Sequence, residues 1–330
     1  MSFETIGVIG VGAWGTALAI NAKLAGRKVV LWGFESEVVD AINNTQTNPK
    51  YLPDVDVSGI RATTDMAEIS NCDAIMAVTP AQFMRGSLEE LSKTAKDGVS
   101  VMLCSKGFET KSLKMMTDVL EESIPGSTAS VLSGPSFAKD VALGLPTAVT
   151  LASAEQEEGE RWMSAIGRPE FRPYLSTDLM GAEAGGAVKN VLAIACGIVE
   201  GKGLGKSAHA ALISRGFAEL TRLGVAMGGN AETLKGLCGL GDLVLTCSST
   251  QSRNMSFGYA LGQGQTVAEV LGSRTAVTEG VATAPAIAQL AKNLNVEMPI
   301  CETVAEIVAE RITLSQGIEA LLKRPFKAEV

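Results

Sequence analysis

Apolar residues recur through the first half of the chain in short, nearly unbroken runs separated by amphipathic stretches. The runs at 5–10, 28–32, 74–79, 99–104, 128–133 and 147–152, with a weaker one at 171–175, predict strands. Strands this apolar on both faces are expected where helices cover both sides of a parallel sheet. Their alternation with helical stretches predicts an α/β layer architecture. From about residue 178 the pattern changes. Segments 181–199, 207–228, 281–294 and 301–312 have helical character, and no strand pattern remains. The pattern therefore predicts a mostly parallel α/β unit at 1–180 and an all-α unit at 181–330, divided near 178–182. Two units is the number expected for a chain of 330 residues.

Composition narrows the chemistry. There are 28 Lys and Arg against 36 Asp and Glu, a net charge of −8. No basic cluster exceeds pairs such as Lys323-Arg324, so a nucleic-acid partner is not expected. With 46% hydrophobic and 19% charged residues, the chain is not a disordered one. The uncharged stretch 254–268 is polar and glycine-rich, and residues 1–30 lack the order of a signal peptide, so neither membrane insertion nor export is expected. The single histidine, His209, excludes two-histidine mechanisms and histidine-rich metal sites. Proton transfer then falls to Lys, Asp, Glu, Tyr or Cys unless His209 itself is catalytic. The six cysteines are scattered with no C-x-x-C, so no metal is expected and a reducing cytoplasm fits.

Gly10-Val11-Gly12-Ala13-Trp14-Gly15 follows the strand at 5–10 and opens a helix. That context turns a weak G-x-G-x-x-G pattern into a dinucleotide-binding loop. Gly10 allows the tight turn, Gly12 lets the backbone approach a pyrophosphate, and Gly15 lets helix and strand pack closely. The acidic residue that grips the ribose of NAD is expected at the end of the second strand. That place holds Trp32-Gly33-Phe34, with Glu35 one step further, so NAD and NADP both stay open.

Three more strand ends carry small, turn-forming residues: Val78-Thr79-Pro80, Cys104-Ser105-Lys106-Gly107 and Ser133-Gly134-Pro135-Ser136. Ligands bind outside such ends, where Lys106 is either a cation of the cleft or a solvated loop lysine. Lys189 is the only charge in 184–199, and Asn190 follows it. A helix apolar all round is buried. Its lysine either has a pKa lowered by burial, and so is useful for proton transfer, or snorkels to water. Asp242 is the only charge between Lys235 and Arg253 and could pair with Lys189. Arg253 has the fork geometry that suits phosphate, or is a surface arginine in a polar loop.

Taken in order, Gly10–Ala19, Ser105-Lys106-Gly107, Ser133–Lys139, Gly185–Asn190 and Gly239–Cys247 with Gln251-Ser252-Arg253-Asn254 resemble the bacterial NAD(P)-dependent glycerol-3-phosphate dehydrogenase family. The resemblance spans nearly the whole chain. It implies a Rossmann-type domain joined to a helical domain of the 6-phosphogluconate-dehydrogenase-like type. It implies a cytoplasmic homodimer that uses NAD or NADP and makes sn-glycerol 3-phosphate for glycerophospholipid synthesis. It implies that Ala13, Trp14, Phe34, Lys106, Ala138, Arg253, Val277 and Glu279 meet the cofactor, with the strand end at Pro80 walling its nicotinamide. Lys106, Gly134, Ser136, Lys189, Asn190, Asp242, Thr246, Ser252, Arg253 and Asn254 would meet the substrate. Lys189 would be the proton donor and acceptor, helped by Lys106 and Asp242. Phe34 departs from the polar or basic residue common there in relatives, which weighs against a strong NADP preference.

The implied reaction is hydride transfer to C2 of dihydroxyacetone phosphate. Two other readings are another hydroxyacid dehydrogenase of the same superfamily and a non-enzymatic dinucleotide sensor. His209, at the front of a predicted helix, is read as an ordinary helix-start residue.

Overall fold

The computed structural model describes residues 3–273 and 277–326; the outermost residues of both expected units fall outside them. The first half alternates as expected, in the order β1 (Thr5–Ile9), α1 (Ala13–Leu24), β2 (Lys28–Trp32), α2 (Ser36–Thr45), β3 (Arg61–Thr63), α3 (Met66–Ser70), β4 (Ala74–Ala77), α4 (Ala81–Ser92) and β5 (Ser100–Leu103). A small hairpin, β6 (Phe108–Glu109) and β7 (Lys114–Met115), precedes α5 (Met116–Ser123). Then come β8 (Thr128–Ser133), α6 (Ala138–Ala142), β9 (Thr147–Ser153), α7 (Gln156–Ile166) and β10 (Phe171–Ser176).

Eight of these strands form one sheet in the order β10-β9-β8-β5-β4-β1-β2-β3. The central strands β1, β4 and β5 are buried on both faces because helices pack on both sides, whereas the edge strand β10 is largely exposed. The sheet is mostly parallel, as expected, with one antiparallel pairing. β9 runs antiparallel to β8, because the connection through the five-residue α6 turns the chain back. The chain winds outward from β1 in both directions, to β2 and β3 on one side and to β4 and β5 on the other. The crevice between β1 and β4 is therefore the topological switch point, where such sheets bind ligands.

Among the described residues the second half is helical: α8 (Leu179–Gly201), α9 (Lys206–Ala226), α10 (Ala231–Lys235), a π-helical turn at Leu237–Gly241, α11 (Asp242–Cys247), α12 (Arg253–Gly262), α13 (Val267–Gly272), α14 (Glu279–Asn293), α15 (Pro299–Val308) and α16 (Leu314–Leu322). α8 is the axis of this half. By length and hydropathy it could cross a membrane, yet its apolar window is wholly buried by protein. Helices α9, α11, α12 and α14 surround it. Its closest neighbour, α12, approaches through paired glycines: a Cβ on Gly197 would lie 2.1 Å from the Met255 carbonyl oxygen, and one on Gly258 would lie 2.0 Å from that of Ile194. Lys189, about two turns before Gly197 on α8, lies inside the packed core.

Candidate active site

The glycine loop sits at the switch point. Gly10 has φ +123°, a conformation other residues rarely adopt. A Cβ on Gly15 would lie 1.9 Å from the Gly10 carbonyl oxygen, so only glycine lets α1 start there. A Cβ on Gly12 would meet nothing within 4 Å, and that open side is where a ligand can approach. Gly12 caps α1 without a side-chain hydrogen bond, and the first turn carries no acidic residue. The leading amides of α1 thus face the cleft without a side-chain acceptor, which fits a pyrophosphate. Asn48 braces the loop from behind. Its Nδ2 donates to the Val11 carbonyl at 2.8 Å and to Thr16 Oγ1 at 2.9 Å. Trp14 Nε1 donates to the Cys104 carbonyl at 3.2 Å.

The other expected cofactor residues lie on several elements. Ala13 is the first residue of α1, Pro80 caps α4, and Ala138 opens α6, which packs on α1. Phe34 is 78% exposed beyond the end of β2. Glu35 is not a free ribose ligand: it is ion-paired with Lys50 at 2.5 Å. Val277 is half exposed just before α14, and Glu279 is the first residue of α14.

The buried charges meet where α8, α11 and the loop after β5 converge. Lys189 Nζ lies 2.5 Å from Asp242 Oδ1 and 3.0 Å from Thr246 Oγ1. Lys106 Nζ lies 2.7 Å from the other carboxylate oxygen, Oδ2, and 3.0 Å from the Gly134 carbonyl. One carboxylate therefore holds two ammonium groups. Burial lowers the Lys189 pKa to about 8; Asp242 pulls it up and Lys106 pushes it further down. Burial would raise Asp242, but the two lysines outweigh it and hold the carboxyl below its ordinary value. Lys189 does not snorkel: it is 6% exposed, in the middle of α8.

The remaining polar residues line up beside this centre. Asn254 Nδ2 donates to Asn190 Oδ1 at 2.9 Å, and its Oδ1 accepts from the Gly280 amide at 2.9 Å. Asn190 Nδ2 donates to Glu279 Oε2 at 3.2 Å. This chain ties α8, α12 and the start of α14 together. Burial raises the Glu279 pKa, while Arg253, Lys189 and Lys106 oppose that rise. Ser252 caps α12 by accepting from the Met255 amide, which places Arg253 on its first turn. Gly134 adopts φ +147°, and its carbonyl accepts from Ser136 Oγ at 3.0 Å as well as from Lys106.

The fold thus gathers most of the expected residues at one edge of the sheet. Three features went unread in the sequence. Asp242 pairs with Lys106 as well as with Lys189. Asn48 holds the glycine loop from a stretch of polar residues with no motif. The third is a correction: His209 is not an ordinary helix-start residue. Its ring is buried and both nitrogens are bonded, to Glu200 and to the Cys247 carbonyl. Glu200, nine residues earlier at the end of the apolar run, was the available signal.

Residues 5–159 match the model for the NAD-dependent glycerol-3-phosphate dehydrogenase N-terminus, and residues 178–319 match that for the C-terminus. The chain is 60% identical over 328 residues to a glycerol-3-phosphate dehydrogenase [NAD(P)+] of Maricaulis maris, covering 99% of this chain and 98% of the relative. It is 57% identical over 330 residues to the protein of that name in Caulobacter vibrioides, covering 100% of each. A crystal structure of glycerol-3-phosphate dehydrogenase from Coxiella burnetii superposes with a TM-score of 0.93 at 36% identity, covering 97% of this chain and 99% of that one.

Proposed function

The chain belongs to the NAD-dependent glycerol-3-phosphate dehydrogenase family, and from that premise we propose how its buried charges divide the work. The activity is NAD(P)-dependent interconversion of dihydroxyacetone phosphate and sn-glycerol 3-phosphate, whose product serves glycerophospholipid synthesis. The observation that carries the assignment of roles is the two-lysine grip on Asp242, buried beside the switch point.

Gly10, Gly12 and the leading amides of α1 hold the cofactor pyrophosphate, with Ala13, Trp14, Phe34, Pro80, Ala138, Val277 and Glu279 around the rest of the cofactor. When bound, the reduced nicotinamide supplies the hydride that reaches C2 of the substrate. Lys189 donates a proton to the C2 oxygen and, with Lys106, stabilises the negative charge that builds there. Asp242 and Thr246 aim the Lys189 ammonium. Asp242 also keeps it from losing its proton entirely to burial. A pKa near 8 suits both directions: the protonated amine serves reduction and the neutral amine takes the C2 hydroxyl proton in oxidation. Arg253, on the first turn of α12, grips the substrate phosphate together with the amides there, and Ser252 and Asn254 fix that turn. Gly134, Ser136 and Asn190 complete the pocket. A cytoplasmic homodimer without membrane insertion completes the proposal; the burial of α8 within the protein supports the last point.

Oxidation of NADH and of NADPH by dihydroxyacetone phosphate tests these roles. Lys189→Ala should lower kcat about a thousandfold while the protein stays folded. Turnover near the wild-type rate would contradict the role given to Lys189. Arg253→Ala should instead raise the KM for dihydroxyacetone phosphate about a hundredfold, and an unchanged KM would move the phosphate site elsewhere.

A further inference from the structure

The single histidine of the chain has no place in the roles above, yet it is built into their scaffold. His209 lies on the first turn of α9 and is 8% exposed. Its Nε2 lies 2.9 Å from the Cys247 carbonyl oxygen, and its Nδ1 lies 3.1 Å from Glu200 Oε2. A carbonyl and a carboxylate only accept hydrogen bonds. Both ring nitrogens must therefore donate, which requires the imidazolium form. The titratable groups facing the ring are Cys196 and Glu200, one turn apart on α8, and Cys247 at the end of α11; Lys206, on its own helix, pairs with Glu200. Contact with Cys196 raises the ring's pKa most, burial opposes that, and Glu200 raises it again, to about 9.

Cys247 is the last residue of α11, a helix of six residues. So short a helix leaves most of its carbonyls without intrahelical partners. A cationic donor at its C-terminal end satisfies one carbonyl and complements the helix dipole. The same helix begins at Asp242, and Thr246 immediately precedes Cys247. Those are the two residues that hold Lys189 Nζ.

We propose that His209 is a positioning residue of the active site, an imidazolium that bridges Glu200 to the Cys247 carbonyl and thereby fixes α11 and the groups that aim Lys189. The inference rests on the role given to Lys189, and its first test does not depend on that role. Because the chain has one histidine, nitrogen NMR of histidine-labelled protein reads the ring directly. Both nitrogens should be protonated at neutral pH, with titration near 9 instead of the ordinary 6.5. A ring that is neutral at about pH 7.5 would overturn the proposal.

Two variants then read the consequence. His209→Leu removes the donor and should lower kcat about tenfold, within the hundredfold that a small misplacement can cost. The KM for dihydroxyacetone phosphate should stay within about twofold. His209→Gln, which keeps a donor, should recover most of the loss. A folded His209→Leu protein with wild-type kcat would overturn the proposal. Glu200→Gln serves if His209→Leu does not fold. It should lower the pKa of the ring, and the ratio of wild-type to variant kcat should grow between about pH 6 and about pH 8, as the variant's ring loses its charge first. A lowered pKa with a constant ratio would overturn the proposal, because a merely structural role would not follow the ring's charge. Lys189→Ala, assayed alongside, shows separately whether the underlying role of Lys189 stands.

Discussion

Two kinds of buried carboxylate stand in this molecule, and they solve the same problem differently. Asp242 is 1% exposed and has two ammonium partners, so it stays ionised below its ordinary pKa. Glu183 and Glu219 are also buried, but among the described residues neither has a cation within ion-pair distance; Arg222 acts on Glu219 only from further off. Glu183 accepts from the Thr117 amide and hydroxyl and ties α8 to the start of α5. Glu219 accepts from the Ile300 and Cys301 amides at the start of α15. Burial pushes each up to about 7, with those hydrogen bonds pulling the other way. Donated hydrogen bonds alone therefore leave a buried carboxylate close to neutrality. At the reaction centre the two ammonium partners make Asp242 fully ionic.

The largest effect should come from breaking the ionic case. Asp242→Asn leaves two ammonium groups facing each other in a buried site. The kcat should fall about a hundredfold, and stability should fall by roughly 3–5 kcal/mol, as when one partner of a buried pair is removed. Steady-state kinetics and urea unfolding check both. A variant as active and as stable as the parent would show that the carboxylate is incidental. Lys106→Gln should act more mildly, with about a tenfold loss in kcat, because Asp242 keeps Lys189. If Lys106→Gln cost more than Asp242→Asn, the two lysines would have to exchange roles.

The smallest effect belongs to the uncharged case, and its sign is fixed. A carboxyl whose folded pKa lies near 7, against 4.5 ordinarily, binds its proton more tightly in the native state. It therefore takes stability away as pH rises from about 4.5 to about 7. The Tm of the wild type should decline across that window. The double substitution Glu183→Gln with Glu219→Gln should flatten the decline by a few degrees. Equal slopes in the two proteins would remove the distinction drawn between the two kinds of site.

How much of this was legible in the sequence follows from the physics of each element. The long strands and helices announce themselves because their apolar runs exceed what a loop can expose. Strand β3, only Arg61-Ala62-Thr63, and the two-residue strands of the hairpin are too short to set a period. The reversed direction of β9 is a matter of pairing, not of residue type. In the site, Lys189 and Asp242 stood out as single charges in apolar surroundings. The contact of Lys106 with Asp242, 136 residues away, depends on how β5 and α11 meet and leaves no local trace. His209 was misread for a related reason: its acceptors belong to the ends of two other helices.

The central claim is that Lys189 exchanges the substrate proton with a pKa set by burial and Asp242. Its most direct test is the pH dependence of kcat/KM for sn-glycerol 3-phosphate oxidation, measured in the wild type and in Asp242→Asn. In the wild type kcat/KM should rise through a pKa near 8 as the amine becomes neutral, and in Asp242→Asn the same limb should move to lower pH. A profile without that limb, or one that Asp242→Asn leaves in place, would contradict the claim.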